Sequence, residues 1–338
     1  MTHRRRALRY IDDSGPGITR ERKGRSWRYF GPDGKRITKR AEIDRLNAIG
    51  MPPAYERVWL CPDPDGHIQG VGYDAKGRKQ YRYHPDFRAQ QDSLKYERLA
   101  DFGRSLPRLR KRVEEDMAGK PTSCEAVIAA VVRLIEATHM RVGSEEYAKA
   151  NKSFGATTLR TRHARVAGHK VRISYPGKHG IKRTVTVTDR RLARIAKQTQ
   201  DLPGQHLFVF EGGNGDVRPV SSGDVNAYIQ DAMGDEFTAK DFRTWGASVI
   251  AYKEMRRRVA RSNRVRLKSM IEPVAEALGN TVAISRKSYV HPALIEAASD
   301  AAALDTGPLP RRTKYLSGAE RGLIGFLDAM ARKPKKAA

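Results

Sequence analysis

The sequence predicts an α+β fold. A small β-rich N-terminal domain over residues 1–90 precedes a larger, mainly helical domain over 91–330 with one inserted β-hairpin, and a disordered basic tail over 331–338. Three observations carry this reading. Before residue 90, short alternating runs are separated by Gly, Pro and Asp clusters. From about Asp92 the apolar residues recur at helical spacing. Within that helical stretch, two alternating runs flank Pro176-Gly-Lys-His-Gly180.

In chain order, Ser26 to Phe30 and Lys35 to Thr38 read as two strands around the turn Gly31-Pro-Asp-Gly34. Asp44 to Ile49 reads as a short helix, ended by Gly50 and the Pro52-Pro53 break. Val58 to Leu60, His67 to Tyr73 and Arg78 to Tyr83 are further strands, with turn chemistry in Asp63-Pro-Asp-Gly66 and Asp74-Ala-Lys-Gly77. Leu94 to Met117 and Glu125 to Thr138 are helices separated by the break and cap Pro121-Thr-Ser123. Val171 to Tyr175 and Thr184 to Thr188 make the hairpin, with Lys178 at its tip. Asp189 to Thr199 and Ser222 to Met233 are helices, and Ala239 to Val265 carries a long basic one. A last helix starts at Arg286 and holds Tyr289 in its first turns.

The 338 residues include 65 Lys+Arg and 38 Asp+Glu, a formal net charge of +27, with a pI near 10.3. Residues 1–90 carry +9 of this and the remainder +18, so the excess is spread along the chain rather than held in a tail. Such a balance points to a polyanionic partner, nucleic acid first. Cys61 and Cys124 form neither a disulfide framework nor a metal set, which suggests a reducing cytoplasm. No apolar run follows the first residues as in a signal peptide, and the longest apolar run, Ala126 to Val132, is too short to span a bilayer.

Several residues are suited to chemistry at phosphorus. Transesterification needs a nucleophile, cations around the non-bridging oxygens and a proton donor for the leaving alkoxide. Tyr289 is the candidate nucleophile. Arg141 and Arg243 are candidate phosphate ligands, since a planar guanidinium donates two hydrogen bonds to adjacent oxygens. Lysine suits the proton-donor task when neighbouring cations ease its proton loss, and a hairpin tip presents Lys178 from the side. Asn280, nine residues before Tyr289, adds a hydrogen-bonding amide. Taken singly, these are a loop lysine, a core tyrosine, surface arginines and a helix-capping amide. Only the ordered set points to catalysis. The histidines include no HExxH, no acidic cluster suits a magnesium nuclease, and no G-x-x-x-x-G-K-[ST] occurs.

With Arg141-Val-Gly143, Gly177-Lys178, Lys240-Asp-Phe-Arg243 and Tyr289 in this order, the chain resembles the bacterial type IB DNA topoisomerases of the small, poxvirus-like kind. Their catalytic domain is related to tyrosine recombinases. The resemblance implies a C-shaped clamp around duplex DNA and relaxation of supercoils through a transient 3′-phosphotyrosyl link. The enzyme would need neither ATP nor a metal, and would act as a monomer on nucleoid DNA. It assigns Arg141, Lys178, Arg243 and Tyr289 to catalysis. The fifth family position, most often histidine, is Asn280 here, which can donate a hydrogen bond but cannot carry charge or pass a proton. Gly77-Arg-Lys-Gln-Tyr-Arg-Tyr-His84 resembles the family's groove-reading strand, so Gln80, Tyr81 and Tyr83 are expected at DNA, together with Tyr147 and Lys240.

Two rival readings differ in testable ways. A tyrosine recombinase or integrase shares the nucleophile, but usually has His-x-x-Arg where this chain has Lys240-Asp-Phe-Arg243. A non-enzymatic basic DNA-binding protein would form no covalent adduct with DNA.

Overall fold

The computed structural model describes residues 7–75, 77–234, 236–262, 265–299 and 307–332. It mixes helices and small sheets. The chain divides into two compact units, Met1–Leu94 and Lys95–Ala338. No helix among the described residues is long and apolar enough to cross a membrane.

In the first unit, β1 (Thr19–Lys23) pairs antiparallel with β2 (Ser26–Phe30). The expected partner of Ser26–Phe30 was the segment 35–38, but that segment contributes only the single bridge Phe30↔Arg36. The reason is local. A two-residue connection with Gly24 at φ 62° suits the twist of paired strands, whereas the Gly31–Gly34 turn is longer. Helix α1 (Arg40–Ala48) follows, then the three-stranded antiparallel sheet of β3 (Glu56–Leu60), β4 (Ile68–Tyr73) and β5 (Lys79–Tyr83) in the order β3-β4-β5. Ile18, Tyr29, Leu46, Met51, Val58 and Leu60 form a core of their own. Two glycines let β4 press against it: a Cβ at Gly72 would stand 2.8 Å from the Met51 Cε. Buried Gln69 braces the Asp63–Gly66 turn by donating to the carbonyls of Asp63, Pro64 and Gly66, while its oxygen accepts from Arg45.

The second unit is built around α4 (Cys124–Thr138), buried over most of its length from Ala126 to Ile135. Helix α3 (Leu99–Asp116) lays Leu99, Phe102, Leu106, Leu109 and Val113 against the same core. The single helix expected from Leu94 is instead the end of α2 (Pro85–Glu97) and then α3, parted at Arg98. After α5 (Glu145–Asn151) come β6 (Ala164–Ala167), β7 (Lys170–Pro176) and β8 (Lys182–Thr188), in the order β6-β7-β8. Val171, Ile173 and Tyr175 turn one face of β7 into the core. Asp189 then caps α6 (Arg190–Gln200) by accepting from the N–H groups of Arg191 and Leu192. A short β9 (Val209–Glu211)–β10 (Val217–Pro219) pair leads to α7 (Ser222–Met233).

The long basic helix expected over 239–265 is α8 (Asp241–Ser262), and α9 (Leu267–Leu278) follows it. Helix α8 docks on α3 where Gly103 leaves room for the Trp245 ring, which a Cβ would meet at 2.3 Å. The chain continues through α10 (Val282–Ser288), α11 (Pro292–Ser299) and α12 (Gly318–Arg332). Residues 333–338, most of the expected tail, lie outside the described residues.

Candidate active site

Four segments of the second unit converge on one cleft of about 530 Å³, lined among others by Arg141, Tyr147, Lys178, Lys240, Arg243 and Tyr289.

Arg141 comes from the turn after α4. His139 caps that helix in the left-handed region (φ 53°), and the chain runs through Gly143 at φ 105°. The turn is fixed by close backbone approach. The N–H groups of Ala156 and Thr157 donate to the carbonyls of Arg141 and Val142 at 2.9 and 2.8 Å. A Cβ at Gly155 would lie 2.6 Å from the Arg141 carbonyl oxygen, so glycine is required there. Gly143 of the Arg-x-Gly segment is a geometric need too: a Cβ there would stand 2.9 Å from Thr158 Oγ1, and its φ of 105° favours glycine. Ser144 then caps α5, and Tyr147 in its first turn is 36% exposed toward the cleft.

Arg243, in the first turn of α8, is only 4% exposed. Its Nη1 donates to the His139 carbonyl, and its Nη2 to the Leu278 carbonyl at 3.3 Å. Burial, then the charge of Arg141, pull its pKa below the ordinary guanidinium value. A cation kept in so dry a place gains from an anion arriving beside it.

Tyr289 is not in the first turns of a helix, as its sequence context suggested, but caps the end of α10. Gly279 ends α9 in the left-handed conformation, Thr281 caps α10 by accepting from the Ile284 N–H, and Pro292 opens α11. Because the residue before a proline disfavours the helical region, the chain must break between Tyr289 and Pro292. Ser248 on α8 braces that break: its hydroxyl accepts from the His291 N–H at 3.1 Å and donates to the Tyr289 carbonyl at 3.5 Å. The Tyr289 ring lies 4.9 Å from the Arg243 guanidinium carbon. Burial works to raise the phenol pKa, but the charges and hydrogen bonds of Arg243 and Arg141 outweigh it. The net shift is downward, toward the nucleophilic phenolate.

Asn280 lies between the two guanidinium groups. In one amide orientation its oxygen accepts from Arg141 Nη2 at 3.4 Å. Turned over, its oxygen accepts from Arg243 Nη2 at 3.2 Å and its nitrogen donates to the Gly279 carbonyl at 3.3 Å, which satisfies both ends. The helix cap is Gly279, leaving the Asn280 side chain free of that duty.

Lys178 is exposed at the tip between β7 and β8, in a short 3-10 turn closed by the Gly177 N–H donating to the Ile181 carbonyl at 2.8 Å. Lys240, just before α8, is exposed on the same cleft. Gln80, Tyr81 and Tyr83 belong to β5 of the first unit. Tyr81 and Tyr83 share a face and stack with centroids 5.9 Å apart and planes at 15°. Gln80, on the alternate face, donates to the Asp74 carboxylate at 3.1 Å.

Sequence reasoning missed the supports: the His139 carbonyl under Arg243, Ser248 behind the Tyr289 segment, and Arg183. No local motif marks them, because each acts on a residue distant in the chain.

Two family models match the chain. One describes the N-terminal domain of bacterial DNA topoisomerase IB and covers residues 26–74. The other describes the catalytic core of eukaryotic DNA topoisomerase I and covers residues 84–304. A DNA topoisomerase 1B of Acanthamoeba polyphaga mimivirus is 34% identical over 285 residues, spanning 81% of this chain and 85% of that protein. The DNA topoisomerase 1B of Vaccinia virus (strain Copenhagen) is 23% identical over 272 residues, spanning 78% and 82%. Among solved structures, the XerH site-specific recombinase bound to its difH substrate aligns at a TM-score of 0.36 and 20% identity, over 57% of this chain and 52% of that one. On the family models and the mimivirus relative, the chain belongs to the type IB DNA topoisomerase family and is an enzyme of that class.

Proposed function

We propose that Tyr289, Arg141, Lys178, Arg243 and Asn280 carry the strand transfer of this type IB topoisomerase. The observation behind the reading is that Tyr289 lies over buried Arg243 with Arg141 beside it, so that nucleophile and phosphate ligands share one cleft. The Tyr289 oxygen, its proton passed to solvent, attacks the scissile phosphorus. The bond to the 5′-oxygen breaks, and Lys178 protonates that leaving oxygen. Arg141 and Arg243 hold the non-bridging oxygens as negative charge builds, and Asn280 turns its NH2 toward one of them. The 3′-phosphotyrosyl link conserves the bond energy. Once torsion has relaxed, the 5′-hydroxyl attacks back and releases Tyr289.

Tyr147 and Lys240, on the rim of the cleft, contact the DNA backbone near the cut. Gln80, Tyr81 and Tyr83 contact the duplex from the first unit. Both units carry excess positive charge, which supports a clamp acting as a monomer on supercoiled DNA of the nucleoid. The decisive experiment is Tyr289→Phe. It should abolish covalent trapping and plasmid relaxation while leaving duplex affinity within about threefold, since only one oxygen is removed. Residual relaxation, or a tyrosine left on the 5′-phosphate by the parent enzyme, would sink the assignment.

A further inference from the structure

Arg183 stands on β8 directly across from Tyr175, on the strand that descends from the Lys178 turn. Its guanidinium leaves the hairpin and reaches the last turn of α9. There Nη2 donates to the Ala277 carbonyl at 3.0 Å and Nη1 to the Glu276 carbonyl at 3.4 Å. Both carbonyls lie in the last turn, at the negative end of the helix dipole, where a forked cation suits them, and the Glu276 carbonyl also accepts from the Gly279 N–H at 3.2 Å. Gly279 keeps the approach open. A Cβ there would lie 1.6 Å from Arg183 Nη1, and its φ of 62° also calls for glycine.

One other tie lies near the tip: the Phe154 N–H donates to the Pro176 carbonyl at 2.8 Å, two residues before Lys178. Beyond that tie, Lys178 is exposed, Ile181 is 61% exposed, and the Gly177 N–H donates back to the Ile181 carbonyl. Arg183 lines a small cavity with Arg141, Lys178 and Arg243. Its fork, however, is turned to the carbonyls of Glu276 and Ala277 at the end of α9. We propose that Arg183 is a positioning residue: it latches the hairpin to the end of α9 and thereby sets the approach of Lys178 to the leaving 5′-oxygen. The proposal rests on the acid role of Lys178 given above.

The test uses the full-length enzyme, single-turnover cleavage, and two matched duplexes, one with the natural 5′-oxygen and one with a 5′-bridging sulfur, which leaves without a proton. Arg183→Met keeps the stem and removes the fork. It should slow cleavage of the oxygen substrate by about 10–10²-fold, the usual cost of misplacing a catalytic group by about an ångström. On the sulfur substrate it should cleave within about twofold of the parent enzyme. Combined with Lys178→Ala, it should add no further slowing. Equal slowing on both substrates would show that Arg183 acts through Asn280 or the fold at large, and would overturn the proposal, as would multiplicative slowing in the double variant or an unaltered rate. Arg183→Lys, which keeps the charge but not the fork, gives the same readouts should the methionine variant fold poorly. If Lys178→Ala is itself not rescued by sulfur, the acid role fails first, and that outcome is separable from a failure of the latch.

Discussion

Asn280→Asp changes one atom and should move stability and activity in opposite directions. One terminal atom of the Asn280 amide lies 3.2 Å from Arg243 Nη2, and the other lies 3.4 Å from Arg141 Nη2. A carboxylate there accepts a charge-assisted hydrogen bond from each guanidinium, each worth about 1.5–3 kcal/mol. Its second oxygen, however, faces the Gly279 carbonyl at the 3.3 Å now bridged by an N–H. With that repulsion and partial exposure discounted, the variant should be more stable than the parent by about 1–2 kcal/mol. A phosphodiester entering the cleft must then displace this internal anion from both arginines. If the net attraction to be overcome is about 3 kcal/mol, the penalty is about 10²-fold in cleavage rate. That adds to the loss of the amide donor itself, which Asn280→Ala isolates and which is worth about 10²-fold. Cleavage should therefore rank parent, then Asn280→Ala, then Asn280→Asp. Stability should rank Asn280→Asp first. Denaturant titration and single-turnover cleavage on one preparation read both orders. Cleavage by Asn280→Asp as fast as by Asn280→Ala would refute the idea that the two guanidiniums around Asn280 are the phosphate seat.

Further outcomes follow from the same geometry. Lys178→Ala should slow cleavage of an ordinary phosphodiester by about 10²–10⁴-fold, the usual worth of general-acid help, and recover on the sulfur-bridged duplex. Persistent slowing there would remove Lys178 from the acid role. Burial holds His139 and His291 neutral, each with its pKa brought down to about 4, and the charge of Arg243 adds to the effect at His139. The His139 Nδ1 is buried with no hydrogen-bond partner among the described residues. Between about pH 6.5 and 4 the unfolded chain therefore binds more protons than the folded one. Stability should fall as pH drops through that window, by up to about 1.4 kcal/mol per pH unit for each imidazole. Urea titrations at pH 7, 6 and 5 check this, and His139→Gln should remove about half the slope. A flat profile would contradict the buried neutral state.

The family was legible from sequence because its signature is a set of residue types in a fixed order. A tyrosine after two arginines and a turn lysine keeps its meaning whatever the path between them. Helix α7 and the β7–β8 hairpin were equally legible, since apolar period and turn glycines are local signals. Helix boundaries near the site were less so. The apolar spacing that suggested one helix around Tyr289 spans a break imposed by Pro292 and held by Ser248, a residue on another helix.

By itself, then, the sequence named the candidate reacting groups, the basic charge and the order of the elements. Only the tertiary structure decided how those groups are tuned. Arg243 is a buried cation because His139 and Leu278, far from it in the chain, offer it carbonyls. Tyr289 has a lowered pKa because it caps a helix against that cation. Lys178 lines the cleft from a hairpin tied to the rest of the unit through Arg183 and through the Pro176 carbonyl. Burial and close approach depend on parts of the chain far apart in sequence, and no local pattern records them.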